Sequence, residues 1–361
     1  MTIRRLLPAL ALVVGLALVV AVLPALAQDG QPCPTCPVTF ETPSILDPGS
    51  KGALEISQLF YVVTGIAIVV FVGVEGLLLY SILRFRNRPA SEAQQFHGNT
   101  KLELAWTIVP AIILVVLLGF TLRTMASVRA PMEGEPLKVK VIGHQWWWEF
   151  QYPDWGIKTA NQMYVPVGRP IQVELISDNV QHGFWAPQLF GKMDALPGHP
   201  NKLSFLVSEP GQYGAQCTQM CGEQHAMMRF SIEAVSASEF SSWALAQTAE
   251  APAPTTEAAI RGQATFVRNC AACHAVKGTD AQGGVGPNLT HVASRDYIAG
   301  GILSIEGSLL TDNLGLWIYH AKEVKSGTSM PNFSDINPTT NKPTLSAQEV
   351  DDVVAYLITL K

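Results

Sequence analysis

Hydrophobic and polar positions divide the chain into stretches of different period. From Leu6 to Pro24 the residues are almost all apolar, preceded by Arg4 and Arg5 and followed by ALAQ. This predicts a secretory signal cleaved after Ala27 in the A-x-A pattern, with a retained anchor as the rival because the run is long. Two further apolar stretches follow. Between Glu55 and Arg84 the one charge is Glu75, and between Glu103 and Arg123 there is none. Each is long enough to cross a hydrocarbon layer of ~30 Å as a helix. Arg84, Arg86, Arg88 and Lys101 lie in the connection, which the positive-inside rule places in the cytoplasm. Everything after Met125 then lies outside, with Arg123 and Arg129 weighing weakly against this orientation.

Beyond Leu137 the period shortens. LKVKVI (137–142), IQVELI (171–176), LSFLV (203–207) and MRFSIEAV (228–235) alternate with period two or nearly so, separated by Pro and Gly clusters. Such strands pack naturally as a β-sandwich. AQTAEAPAPTTEAA (246–259) is small, polar and Pro-bearing, which predicts a linker. The remaining residues read as compact and helical. Ser346 and Glu349 form a capping box, and Val350, Val353, Val354 and Leu357 line one helix face. The predicted organisation is a signal at 1–27, an extracytoplasmic segment at 28–53, a transmembrane hairpin at 54–130, a β domain at 131–240, a linker at 241–258 and a helical domain at 259–361.

Composition agrees with a membrane protein, since 48% of residues are hydrophobic and 15% charged. A net charge of −5 gives no sign of nucleic-acid binding. The six cysteines form close pairs, Cys33/Cys36, Cys217/Cys221 and Cys270/Cys273, a spacing suited to metal, haem or redox work. QCTQMCGEQHAMMRF (216–230) gathers thiolates, an imidazole and thioethers, ligands that copper favours. Cys217, Cys221, His225 and Met228, with His182 from DNVQHGFWAP, fit two coppers bridged by both sulfurs. A Cys217–Cys221 disulfide and a zinc site are the alternatives, the second disfavoured by a methionine ligand. Met220 and Met227 read as ordinary apolar residues. Cys270, Cys273 and His274 form CxxCH, the attachment signature of c-type haem. Met330, the one methionine after His274, is the candidate second axial ligand. His291 and His320 are rivals for that position, read as surface or haem-edge residues. Cys33/Cys36 reads as a local disulfide.

C-x-x-x-C-x-x-x-H-x-x-M resembles the CuA loop of cytochrome c oxidase subunit II. HGFWAPQLFGKMDALPG (182–198), GHQWWWEFQY (143–152) and KLELAWTIVPAIIL (101–114) resemble other segments of that family, and the likeness runs from about Leu54 to Val235. Residues 259–361 resemble class I cytochrome c, including GPNLTHVASR (286–295). The resemblance implies an α+β multidomain membrane protein: a two-helix transmembrane hairpin, a cupredoxin-like β-sandwich and an all-α cytochrome c domain. It implies His182, Cys217, Cys221, His225 and Met228 as ligands of dinuclear CuA, with the backbone carbonyl of Gln219. The family usually has glutamate at that position, whose side chain reaches a magnesium ion shared with subunit I; glutamine has no charge to offer there. The resemblance makes Trp146 the aromatic that receives electrons, against a reading as an interfacial ring. It sets Glu103 at the mouth of a proton pathway, against a reading as a helix-start glutamate. Glu75 is expected to face protein rather than lipid.

The expected function is that of subunit II of a haem–copper cytochrome c oxidase. Electrons pass from haem c to CuA and on to subunit I, where dioxygen is reduced to water with proton pumping; no catalytic residue of that chemistry lies in this chain. Subunit I, subunit III and a soluble cytochrome c or cupredoxin donor are the expected partners, in a bacterial cell membrane with both electron-transfer domains outside. A quinol oxidase subunit II would need no copper ligands. A nitrous oxide reductase would need a histidine-rich catalytic domain, for which the chain has no room. A free-standing carrier or sensor would have little use for the membrane hairpin. Charges in 259–361 are near balance and predict no donor.

Overall fold

The computed structural model describes residues 43–87, 89 and 98–361. The signal-sequence expectation, Cys33, Cys36 and Arg88 lie outside the described residues. Two helices come first, α1 (Lys51–Phe85, 35 residues) and α2 (Thr100–Val128, 29 residues), packed side by side. At 1.5 Å per residue they extend about 50 and about 43 Å, more than a bilayer core. Nearly all their side chains are exposed, including Glu75, as expected where lipid or another subunit supplies the surroundings. α1 starts earlier than the hairpin boundary read from hydropathy, because Ser50 caps it by accepting from Ala53 N–H. The Ser50 hydroxyl also donates to the Leu189 carbonyl, and Gly49 exchanges backbone bonds with Gln188 and Ser208. The first membrane helix is thereby tied to the β domain.

That domain is a sandwich of two five-stranded sheets. The strands are β1 (Leu137–His144), β2 (Trp147–Tyr152), β3 (Ile157–Ala160), β4 (Gln162–Pro166), β5 (Ile171–Ser177), β6 (His182–Trp185), β7 (Met193–Ala195), β8 (Asn201–Phe205), β9 (Gly211–Cys217) and β10 (Arg229–Val235). One sheet runs β3-β2-β1-β5-β8 and the other β4-β10-β9-β6-β7. The alternation read from sequence sets the faces: Leu137, Val139 and Val141 of β1 and Ile171, Val173 and Leu175 of β5 are buried, while Lys138 and Lys140 point outward. Each such side chain contributes roughly 1.5–3 kcal/mol by leaving water. An aromatic floor of Trp148, Phe184 and Phe230 closes the core below His182. Phe184 stacks on Phe230 at 4.6 Å, and Trp148 meets the His182 ring edge-on at 5.8 Å.

The stretch expected to begin a linker at 241 is instead part of a helix, α3 (Ala237–Thr248). Ser236 and Glu239 form a capping box, and Phe240 and Trp243 pack on Tyr152, Trp155 and Tyr164 of the sandwich. The irregular connection is confined to 249–256, and Ala251 N–H donates to Lys277 of the following domain.

The C-terminal domain is built on α4 (Glu257–Asn269) crossing α7 (Ala347–Leu357), with α5 (Leu309–Tyr319) and the short α6 (Ala321–Val324) completing it. The predicted capping box and apolar face of α7 are both present, and Val350, Val353, Val354 and Leu357 are buried. His291 does not lie at the surface. It is buried, with Nδ1 2.8 Å from the Lys361 carbonyl, because the chain end folds back over it.

This domain packs on the sandwich through polar contacts. The Tyr297 hydroxyl donates to the Asn161 carbonyl at 2.7 Å, and Gln162 and Asp296 exchange two hydrogen bonds. Lys325 is buried between the domains, its Nζ donating to the carbonyls of Trp146 (2.7 Å), Met227 (3.1 Å) and Ala299 (2.9 Å). Burial pulls its pKa down to about 7, opposed by the neighbouring Cys221. The three carbonyls also oppose it, because they accept hydrogen bonds from the ammonium form.

Candidate metal centres

β9 ends in Cys217, a turn carries Cys221, a 3-10 turn (His225–Met227) carries His225, and Met228 leads into β10. His182 opens β6, the neighbour of β9. The expected donors therefore meet at one end of the sandwich. Cys217 Sγ lies 3.8 Å from Cys221 Sγ and 4.0 Å from His182 Nδ1, while Cys221 Sγ lies 3.6 Å from His225 Nδ1 and 3.9 Å from Met228 Sδ. Both thiols are free, which removes the disulfide alternative. The Gln219 carbonyl approaches Cys217 at 3.3 Å, so the backbone of that residue faces the cluster. His182 Nε2 donates to Asn179 Oδ1 at 3.0 Å, which turns Nδ1 toward the thiols as a lone pair.

Close approach is bought by glycine. A Cβ on Gly183 would stand 2.4 Å from Thr218 Oγ1 and 2.9 Å from the Gln219 nitrogen; one on Gly143 would stand 2.8 Å from the His182 ring. The hydrogen bond with Cys221 holds Cys217 far below the usual thiol range, against burial, and the same bond pushes Cys221 up. A cation among these donors displaces the remaining proton, and soft sulfur with imidazole suits copper. Hence the donor set fits a copper centre.

Trp146 lies beside this loop, its indole Nε1 donating to the Cys221 carbonyl at 3.0 Å, and Gln145 Nε2 donates to the same oxygen at 2.8 Å. Its ring sits between Gly222 and Gly327, where a Cβ would come within 3.0 Å of it from either side. Gly327 belongs to the C-terminal domain, so that domain reaches the expected electron-receiving aromatic directly.

The second cluster starts where α4 ends. Cys270 caps that helix, Cys273 follows in a turn, and both thiols are free. Burial pushes the Cys270 thiol up to about 12 and depresses His274 below the usual imidazole range, favouring the neutral ring. His274 Nδ1 donates to the Pro287 carbonyl at 2.8 Å, which leaves Nε2 as the free lone pair. A Cβ on Gly286 would stand 2.6 Å from that ring. Met330 packs against the domain's apolar core. Arg295, which the sequence left unassigned, is half-buried, and desolvation of its guanidinium pulls it down to about 10. Its Nε has no partner among the described residues, as expected if an anionic group such as a porphyrin carboxylate completes the site. The CxxCH surroundings therefore fit a haem. His320 Nδ1 lies 2.9 Å from Glu323 Oε1.

Glu103 lies in the first turn of α2, where its Oε1 accepts from Asn99 N–H at 3.2 Å. That is a helix-start contact.

Comparison with known proteins places the parts of the chain in families. Residues 44–123 match the family described as "Cytochrome C oxidase subunit II, transmembrane domain", 155–235 match "Cytochrome C oxidase subunit II, periplasmic domain", and 259–361 match "Cytochrome c". The cytochrome c oxidase subunit 2 of Alkalihalophilus pseudofirmus is 33% identical over 305 residues, covering 82% of this chain and 83% of that one. The Bacillus subtilis protein of the same name is 30% identical over 339 residues, covering 88% and 92%. A quinol oxidase subunit 2 from Bacillus spizizenii is 33% identical over 223 residues, covering 59% and 69%. The chain belongs to the subunit II family of cytochrome c oxidases and carries a cytochrome c domain after its copper-binding domain.

Proposed function

We propose that the chain relays electrons one at a time from a haem c, held by Cys270, Cys273, His274 and Met330, to a dinuclear CuA, held by His182, Cys217, Gln219 (through its carbonyl), Cys221, His225 and Met228, and on to subunit I. When bound, each centre takes up and releases one electron without breaking a bond. The protein's part is to hold donor atoms rigidly and to connect the two sites. The observation that carries the reading is the position of Trp146, with its ring against Gly327 of the haem domain and its N–H on the carbonyl of Cys221. The route from the haem domain to a copper thiolate then crosses one van der Waals contact and one hydrogen bond.

Subunit I reduces dioxygen to water with proton pumping, and Glu103 feeds a proton pathway there. Subunit III is a further partner, and a soluble cytochrome c or cupredoxin supplies the haem domain. The chain works in a bacterial cell membrane with 131–240 and 259–361 outside. Gln219 brings no charge to a magnesium site at the subunit I interface. Trp146→Phe removes the hydrogen bond and keeps an aromatic ring. It is expected to slow haem-to-copper transfer at least tenfold while leaving both absorption spectra unchanged. An unchanged rate would remove Trp146 from the route.

A further inference from the structure

Lys325 is a cation with no place in either metal site, yet it is almost wholly enclosed, at 3% exposure. An ammonium has three N–H donors, and here each meets a backbone carbonyl. Two of the acceptors belong to the copper domain. The Trp146 carbonyl lies in the β1–β2 turn, and the Met227 carbonyl immediately precedes Met228. The third, Ala299, belongs to the haem domain, in a turn where Ala299, Gly300 and Gly301 all have positive φ (57°, 74° and 84°). That conformation wraps the chain around the ammonium. A Cβ on Gly300 would stand 2.7 Å from Lys325 Nζ and 2.8 Å from the Met227 oxygen, so the cage admits no side chain there.

The contacts around the cage have the same direction. Gly300 accepts from Arg229 N–H of β10, and the neighbouring Ser326 hydroxyl donates to Glu223 of the copper loop. Met330 follows in the same loop as Lys325. The loop expected to supply the second axial ligand is therefore the loop fastened to the copper domain. Removing one partner of a buried, hydrogen-bonded charge strands the others and is strongly disfavoured.

Resting on the relay reading above, we propose that Lys325 is the positioning residue that fastens the haem domain over Trp146. In that position the chain's own haem domain occupies the face through which a separate donor protein would otherwise reach the copper centre. Electrons from outside then arrive at the haem domain and not at Trp146.

The test uses the assembled, haem- and copper-loaded oxidase. Lys325→Met keeps an unbranched side chain without donors, and Gly300→Ala places a methyl group in the cage. Amide hydrogen exchange is followed at 146–147, 223–228 and 299–301. The expected result is protection of all three segments in the unaltered protein and exchange at least tenfold faster in both variants, with haem and copper spectra unchanged. With the haem iron blocked by a strong ligand, soluble cytochrome c should reduce copper directly in the variants and not in the unaltered protein. Unchanged exchange in both variants, or no protection in the unaltered protein, overturns the proposal. The relay reading fails separately, if the protected, unaltered protein shows no transfer from haem to copper.

Discussion

At the scale of single residues, the two clusters demand different things of their neighbours. Copper donors must converge from two strands, and Gly183 leaves the room. Gly183→Ala is expected to reduce copper retention at least tenfold, read by metal analysis after dialysis against a chelator, with the haem spectrum unchanged. Gln219→Ala should leave the copper spectrum unchanged, because only its carbonyl faces Cys217. Loss of copper there would give the side chain a role. Met330→Ala should remove the thioether–iron absorption band, and persistence of the band would assign the sixth ligand elsewhere. Cysteines, His225 and Met228 were legible because their spacing within one loop is itself the chemistry. His182 was legible only through the expected fold, as an imidazole after the strand at 171–176 that a sandwich brings to the same end as the 217–228 loop. Lys325 was illegible: its meaning lies in three carbonyls, one on Ala299 well before it in the chain and two on another domain.

Among the elements, the crossing of α4 and α7 sets the haem domain's stability. A Cβ on Gly262 would stand 1.8 Å from the Asp352 carbonyl, and Phe266 meets Tyr356 edge-on at 5.6 Å. Gly262→Ala should destabilise the domain by about 3 kcal/mol or more, measured by denaturant unfolding followed at the haem band. At the same crossing Arg261 grips Asp352 with two hydrogen bonds of 2.8 Å, which holds that carboxyl below its ordinary value. A depressed carboxylate stabilises the fold above its unfolded value of about 3.9 and loses that contribution as pH falls through the lower folded value. Asp352→Asn should therefore move acid unfolding to higher pH; an unmoved midpoint would mean the pair is energetically silent. The apolar face of α7 and the alternating strands β1, β5 and β10 were readable as periods of 3.6 and two. Helix α3 was not, because 241–248 were read into the linker with the Pro-bearing tract that follows, and 237–240 into the β domain. The capping box at Ser236 and the spacing of Phe240 and Trp243 were the overlooked signals.

Over the whole molecule, a membrane hairpin carries a copper domain, and that domain carries a haem domain packed against its metal loop. The sequence announced each part, but it suggested a longer and freer tether than the structure has. Residues 249–256 extend to about 27 Å at most, and part of that length is fastened to the haem domain. Such a tether keeps the local concentration of one domain near the other in the millimolar range. The polar contacts through Tyr297, Asp296 and Lys325 then hold it in one pose. Cleavage within 252–256 followed by a high-salt wash should release the haem domain. Oxygen uptake with a small-molecule reductant should then depend on added cytochrome c or haem domain. Unchanged uptake without either would mean that electrons reach copper by another route. The most direct measurement of the relay injects a single electron into the intact, assembled oxidase with a light-activated reductant and follows the haem and copper absorption bands together. The account predicts that the haem is reduced first and reoxidised in the same exponential phase in which the copper band bleaches. Copper bleaching while the haem stays oxidised, or a haem that stays reduced beside oxidised copper, would contradict it.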